Sequence, residues 1–123
     1  MSVVLDTNVL VDVLRVKGPA VDYLRGLPAT PVCSEASRIE VLQGMRSAER
    51  GPTLRLLATL DWHPVDRDVA ERAEQLGREY RGSHGRLALA DLCVAATAEV
   101  LGLPLATRNV KHFPMFPELR PAY

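Results

Sequence analysis

The sequence has little of what exported, membrane-bound or disulfide-stabilised proteins carry. Its two cysteines, Cys33 and Cys93, lie in apolar surroundings without a CxxC spacing, so we expect both to be reduced and buried. No stretch approaches the roughly 18 apolar residues of a membrane span. The opening residues, MSVVLDTNVL, lack the basic start of a signal peptide. These absences predict a cytoplasmic protein with no membrane segment.

The chain also lacks an excess of charge of either sign. Its 15 basic and 15 acidic side chains give a net charge of 0, so bulk charge gives no argument for a nucleic-acid partner. Lys17 and Lys111 are the only lysines, and arginine supplies the other basic side chains. Arginine suits contacts with phosphate and carboxylate groups, but a general bias in composition explains the same pattern.

What the sequence does have is the alternation of an α/β protein, in a single domain over residues 1–123. Short apolar runs predict strands near residues 3–5, 31–33, 62–65 and 103–107. Apolar spacing and capping residues predict helices near residues 7–16, 20–27, 53–60, 66–81 and 87–101, with a loop at 82–85. A further helix, capped by Ser34 or Ser37, is predicted to run to about Met45. Strands that alternate with helices predict a short parallel sheet, of about four to five strands, flanked by helices.

Three carboxylates lie where ordinary surface acids are not expected. Asp6 directly follows Val3-Val4-Leu5, the first predicted strand, and Glu40 lies on the helix after the second predicted strand. Asp91 is the only charged residue from Leu87 to Ala98. Because ligand sites of parallel sheets form at the carboxyl ends of the strands, we expect the three acids to converge.

Converging carboxylates repel one another, and a divalent cation relieves the repulsion. Mg²⁺ or Mn²⁺ binds hard oxygen ligands and activates water for the cleavage of a phosphodiester bond. Each acid alone has a simpler explanation: Asp6 as a helix cap, Glu40 as a solvated helix residue, and Asp91 as the cap of a helix that begins inside its apolar segment. Taken together, the three acids indicate metal-assisted phosphodiester hydrolysis.

Four segments of the sequence match the motifs of one known family. Leu5-Asp6-Thr7-Asn8 resembles the opening D-T-N/S signature of PIN domains, and Ser37–Gly44 resembles their T/S-x-x-E-L-x-x-G segment. Leu89–Ala98 is similar to their D-x-x-I-A-A-x-A helix, and Thr107–Phe113 is similar to the T-R-N-x-x-D/H-F loop of VapC-type toxins. The four motifs occur in family order and span most of the chain, which therefore resembles a VapC-type PIN domain.

This resemblance implies a three-layer sandwich with Mg²⁺ or Mn²⁺ at one end of the sheet. Asp6 and Asp91 would be the principal metal ligands, and Glu40 would be a third acid that binds directly or through water. These three are the candidate catalytic residues, and the residues that would orient water or substrate are Thr7, Asn8, Thr107 and Asn109. The resemblance further implies an endoribonuclease toxin that cleaves RNA, a cognate VapB-like antitoxin and a homodimer.

The closing loop departs from the fullest pattern of the family. Many relatives carry a fourth acid at the position of Asn109 or His112, and neither residue is acidic here. An amide oxygen can bind a cation but adds no negative charge, so the number of metal ions stays open. His112 could contact phosphate or transfer a proton near neutral pH, or it could simply pack beside Phe113.

Two other functions compete with the ribonuclease. A PIN scaffold that binds RNA or a protein without cutting is supported by the missing fourth acid. A haloacid-dehalogenase-like phosphatase is suggested by Asp6-Thr7-Asn8 after a strand, but that family needs an acid at position 8 and a downstream lysine motif. The presence of Asp6, Glu40 and Asp91 favours the ribonuclease. The sequence identifies neither the RNA that is cut nor the antitoxin.

Overall fold

A computed structural model describes residues 2–84 and 87–123 as a parallel sheet flanked by helices. The strands are β1 (Val4–Leu5), β2 (Val32–Ser34), β3 (Asp61–His63) and β4 (Leu105–Ala106), and they pair in parallel in the order β3-β2-β1-β4. The helices are α1 (Thr7–Leu14), α2 (Gly18–Arg25), α3 (Glu35–Gly44), α4 (Arg50–Leu57), α5 (Arg67–His84) and α6 (Leu89–Leu101), with 3₁₀ turns at Ser47–Glu49 and Val110–His112. The predicted fold class is confirmed.

A hydrophobic core lies on each face of the sheet because neighbouring residues of a strand point to opposite sides. Val4 is buried in one core, with side chains of α5 and α6 such as Leu76 and Val94. Leu5 is buried in the other core, with side chains of α1 and α4 such as Leu10 and Leu57. The expected three-layer sandwich therefore follows from the alternation of Val4 and Leu5 in the central strand. Within the two described ranges, no helix is long and apolar enough to cross a membrane.

The order of the strands reverses at β1. The strands β2 and β3 lie on one side of β1, and β4 lies on the other. The backbone N–H of Asp6 donates to the carbonyl of Ala106 at 2.9 Å, which fixes the end of β1 beside the end of β4. Crevices form at such reversal points in open parallel sheets, so this topology places the residues that follow β1 and β4 at one crevice.

Several predicted boundaries are wrong at glycine and proline. The predicted loop at 82–85 is helical as far as His84, and residue 85 lies outside the described ranges. Gly82 lowers helix propensity by about 1 kcal/mol but keeps the N–H that a helix needs. Gly51-Pro52, predicted to precede a helix, lies in the first turn of α4, and Gly18-Pro19 begins α2. Proline is tolerated in a first turn because its missing N–H has no helical partner there.

Candidate active site

The three predicted acids line one cleft, of about 370 Å³, at the carboxyl end of β1. Its lining also includes four other residues singled out in the sequence, namely Thr7, Asn8, Asn109 and His112. A larger cleft, of about 600 Å³, lies between α5 and α6. Among the described residues, that larger cleft is lined by a single carboxylate, Glu74, so it lacks converging acids. The cleft of Asp6, Glu40 and Asp91, called the acid cleft below, is the candidate active site.

Asp6 is buried at the start of α1 and has both carboxylate oxygens engaged. Oδ1 accepts a hydrogen bond of 2.7 Å from the backbone N–H of Thr7, and Oδ2 accepts one of 2.7 Å from the hydroxyl of Thr107. Burial raises the pKa of Asp6, the two hydrogen bonds oppose that shift, and the charge of Glu40 adds to it. The capping explanation for Asp6 is therefore correct, and the same carboxylate also lines the acid cleft.

Thr7 holds Glu40 at the cleft. The Thr7 hydroxyl oxygen lies 2.6 Å from Glu40 Oε1 and 2.9 Å from Ser37 Oγ. A hydroxyl has one hydrogen and a carboxylate only accepts, so Thr7 donates to Glu40 and accepts from Ser37. Ser37 is buried within α3, and Ser34 is the residue that caps this helix. Glu40 is exposed, as its simpler explanation expects, but this hydrogen bond directs its carboxylate to the acid cleft.

Asp91 lies in the first turn of α6, where the helix dipole favours a negative charge. The helix begins at Leu89, two residues later than predicted, and its N-cap is Ala88, so the capping explanation for Asp91 is wrong. Burial, followed by the charge of Asp6, raises the pKa of Asp91 to about 6. The Nδ1 atom of His112 lies 3.4 Å from Oδ2 of Asp91, so this loop histidine contacts an acid of the cleft.

Thr107 joins the closing loop to the end of β1. Its buried hydroxyl donates to Asp6 and accepts a hydrogen bond of 2.9 Å from the backbone N–H of Asn109. The side chain of Asn8 approaches from α1, with its amide nitrogen 3.5 Å from the Thr107 hydroxyl and its amide oxygen 3.5 Å from the backbone nitrogen of Arg108. Asn109 thus contacts Thr107 through its backbone, while the residue itself lines the acid cleft.

One buried carboxylate was missed by the sequence reasoning. Asp12 of α1 accepts hydrogen bonds from Nε of Arg108 at 2.8 Å and from the Tyr123 hydroxyl at 2.5 Å, and the ammonium of Lys17 lies 3.3 Å away. The available signal was the helical spacing, because Asp12 follows the buried Val9 by three residues and therefore shares its face. Arg108 also lines the acid cleft.

The donor set of the acid cleft suits a hard divalent cation. Within residues 2–84 and 87–123, no three His, Cys, Asp or Glu side chains form a ready-made metal site. A zinc site would need such a cage, whereas Mg²⁺ is held by one or two carboxylates and keeps several waters. Burial raises the pKa of both Asp6 and Asp91, and the negative charge of Glu40 raises both further. A bound cation would offset these effects, so the residues fit the metal expected from the sequence.

The sequence model of the PIN domain family matches residues 3–115. The chain belongs to the PIN-domain family, in its VapC group. It is 42% identical to Ribonuclease VapC10 of Mycobacterium tuberculosis, over 98% of this chain and 92% of the relative. It is 39% identical to Ribonuclease VapC19 of the same organism, over 85% of this chain and 94% of the relative. This membership excludes the dehalogenase-like alternative.

A solved structure gives the same assignment for this PIN domain. The chain superposes with a TM-score of 0.86 on a chain of a toxin–antitoxin complex from Klebsiella pneumoniae, with 31% sequence identity. The match covers 99% of this chain and 98% of that one. The likeness therefore extends over both helix layers and the whole sheet of the PIN domain.

Proposed function

We propose that this PIN domain is an Mg²⁺- or Mn²⁺-dependent endoribonuclease that acts as the toxin of a toxin–antitoxin pair. The observation that carries the proposal is the convergence of Asp6, Glu40 and Asp91 in one cleft at the carboxyl end of β1. The ribonuclease names of its relatives and the toxin–antitoxin complex from Klebsiella pneumoniae support it.

Asp6 and Asp91 would be the principal ligands of the cation, and Glu40 would bind it directly or through water. When bound, the cation would polarise the scissile phosphate and acidify the water that attacks phosphorus. The carboxylate of Asp12 also lines the cleft, but it is already held by Arg108, Lys17 and Tyr123. Asn109 supplies only a neutral amide, so Asp6, Glu40 and Asp91 are the acids that remain for a cation. A single strongly held cation is therefore the form of the site that we propose.

The other residues of the cleft would fix the acids and guide the substrate. Thr107 holds Asp6, and Thr7 holds both Asp6 and Glu40, through the hydrogen bonds described above. Such contacts orient the carboxylates before substrate arrives, and preorganised charges stabilise a transition state most effectively. Asn8 and Asn109 would orient water or RNA.

His112 would act beside Asp91. The separation of 3.4 Å between its Nδ1 and Oδ2 of Asp91 places an imidazole at the rim of the cleft. An imidazole there can donate to a phosphate oxygen or transfer a proton near neutral pH. We therefore assign His112 to substrate contact or proton transfer, in preference to simple packing beside Phe113.

The partners that we propose are RNA, a VapB-like antitoxin and a second copy of the chain, with no membrane involved and the cytoplasm as the site of action. The antitoxin follows from the Klebsiella pneumoniae complex, and the homodimer follows from the family resemblance. Light scattering of the purified protein measures the oligomeric state. A small adjacent open reading frame encoding a DNA-binding protein would supply the antitoxin, and co-expression should then restore growth.

Cleavage of total cellular RNA by purified protein tests the proposed function. The wild type should cut in Mg²⁺ or Mn²⁺ and stop in chelator. Asp91→Asn keeps the shape of the side chain but removes its charge, and we expect cleavage to fall by at least about 10²–10³. Asp22→Asn, an exposed acid on α2, is the matched control and should cut normally. If clean wild type cuts no RNA in any metal, the scaffold alternative replaces the nuclease.

Two further measurements locate the metal and the substrate. Saturating Mn²⁺ should raise the Tm of the wild type by linkage but barely change that of the Asp6→Asn, Asp91→Asn double variant. Equal shifts in both proteins would place the metal elsewhere. Sequencing of RNA ends after induction of the wild type, beside Asp6→Ala, identifies the RNA that is cut.

A further inference from the structure

The acid cleft is lined by two arginines that the proposed metal site does not use. Arg15 follows the end of α1, and Arg108 directly follows Thr107. The three proposed metal ligands in the cleft would repel the phosphates of any RNA, and the net charge of the chain offers no general attraction. In addition to the proposed metal ion, a polyanionic substrate therefore gains from a local cation of the protein itself beside the acids. These two arginines are candidates for that cation.

Arg108 is anchored, and Arg15 is not. Nε of Arg108 donates to Oδ2 of Asp12 at 2.8 Å, yet 44% of the Arg108 side chain stays exposed. Among the described residues, no hydrogen bond or ion pair fixes the side chain of Arg15. An arginine fork that is already oriented loses less conformational entropy when it binds a phosphate, so the anchored Arg108 is the better placed of the two.

The anchor of Arg108 is a buried carboxylate held by three donors. Asp12 is 1% exposed and lies beside Lys17 and the Tyr123 hydroxyl as well as Arg108. Burial alone would raise the pKa of Asp12, but the hydrogen bonds from Tyr123, Lys17 and Arg108 outweigh it and hold that pKa below its ordinary value. Asp12 therefore stays ionised and keeps the guanidinium of Arg108 in one orientation.

We propose that Arg108 contacts a backbone phosphate of the RNA bound in the acid cleft, and that Asp12 and Tyr123 position it for this contact. The proposal rests on the proposed ribonuclease function. The Nε edge of the guanidinium is taken by Asp12, and the rest of its five-donor fork suits the oxygens of a phosphate. Asp12 and Tyr123 are positioning residues, since they act on RNA only through Arg108.

The salt dependence of RNA binding tests the contact. In the Asp91→Asn protein, which should not cut, the association constant for a fluorescein-labelled mixed-sequence single-stranded RNA is measured over a range of KCl concentrations. Loss of one phosphate contact should reduce the slope of log K against log salt by about 0.7. We expect Arg108→Ala to show this change, with roughly tenfold weaker binding at low salt. Arg108→Lys should keep the slope.

A matched control separates the contact from loss of charge or of folding. Arg25→Ala removes one positive charge from an exposed site on α2 and should change neither slope nor affinity. Arg108→Ala also leaves Asp12 short of a donor and should lower Tm, so binding is measured well below that Tm. A purely structural role for Arg108 would lower Tm and leave the salt slope unchanged, which would overturn the proposal.

Tyr123→Phe tests the positioning. This change removes the hydroxyl from Asp12 and keeps the ring beside Tyr23, whose centroid lies 6.0 Å away. The charge of Arg108 remains, so we expect an unchanged salt slope with binding weakened about threefold, or roughly 0.6 kcal/mol. Unchanged affinity would contradict the positioning by Tyr123.

Failure of this inference and failure of the proposed function give different results. If the wild type cuts RNA while Arg108→Ala binds and cuts equally well, the role of Arg108 is wrong and the ribonuclease stands. If the wild type neither binds nor cuts RNA, the ribonuclease is wrong and the role of Arg108 falls with it.

Discussion

The hydroxyl of Thr107 and the carboxylate of Asp6 join the ends of β4 and β1 through a buried hydrogen bond of 2.7 Å. The two residues are 101 positions apart in the chain. The same hydroxyl accepts from the backbone N–H of Asn109, so one small side chain holds both an acid of the cleft and the loop that closes it.

Thr107→Val should therefore damage stability and the proposed activity together. Valine has nearly the shape of threonine but leaves Oδ2 of Asp6 and the N–H of Asn109 without their partner. Loss of a buried hydrogen bond to a charged group destabilises by about 2 kcal/mol, measured by urea denaturation, and cleavage should fall as well. Thr107→Ser keeps the hydroxyl and should retain most of both. Equal effects of the two changes would assign the loss to packing.

The raised pKa of Asp91 predicts how stability depends on pH in chelator. Its pKa is about 6 in the fold against an ordinary 3.8, so the folded state binds the proton more tightly than the unfolded state does. The stability that this proton contributes is lost as the pH rises between these two values. A difference of about two pKa units limits this contribution to the free energy of unfolding to about 3 kcal/mol. We expect the free energy of unfolding of Asp91→Asn to exceed that of the wild type by about 2 kcal/mol at a pH of about 8. At a pH of about 4 we expect no such difference.

Urea denaturation at the two pH values measures that difference. The exposed Asp22→Asn is the control and should show no gain at either pH. A gain for Asp91→Asn that is the same at low and high pH would mean that the charge of Asp91 is not its source.

Asn109→Asp should strengthen metal binding. Asn109 lines the acid cleft with Asp6, Glu40 and Asp91, and a fourth carboxylate adds attraction for a cation. We expect the Mn²⁺ concentration that half-saturates cleavage to fall roughly tenfold, or about 1.4 kcal/mol. In chelator, added repulsion among the acids should lower the Tm. An unchanged metal requirement would show that position 109 lies outside the reach of the cation.

Val16 offers a change that should stabilise the protein without touching the cleft. It follows α1 with a φ of 55°, in the left-handed region that β-branched residues avoid, and 78% of it is exposed. Asparagine tolerates this conformation, so Val16→Asn should raise the stability by about 1 kcal/mol and the Tm by roughly 3–5 °C, as calorimetry would measure. Val65→Asn, at an exposed valine without positive φ, should give no such gain.

The parts of the fold and cleft that the sequence predicted are those with local signals. Val4 and Leu5 form an apolar run before a polar cap, and Asp91 is a lone charge in an apolar helix, so each could be recognised from its neighbours. The same local reasoning ended α5 too early, before Gly82, because a glycine weakens a helix without ending it.

What the sequence could not give were contacts between distant residues. Nothing in the sequence around Asp12 indicates its partners, because Arg108 and Tyr123 lie 96 and 111 positions away along the chain. The hydrogen bonds of the Thr7 hydroxyl with Glu40 and Ser37 depend on the packing of α1 against α3. The metal-ligand roles of Asp6, Glu40 and Asp91 stay predictions, and the metal-binding experiments above address them.

The bond between Thr107 and Asp6 also bears on when the cleft exists during synthesis. A growing chain is made from its N-terminus and forms its long-range contacts last. Until position 107 has left the ribosome, Asp6 lacks the hydroxyl that holds Oδ2, and until position 123 has followed, Asp12 lacks the phenol beside Arg108. The acid cleft is therefore among the last parts of the molecule to be assembled, because both contacts span almost the whole chain.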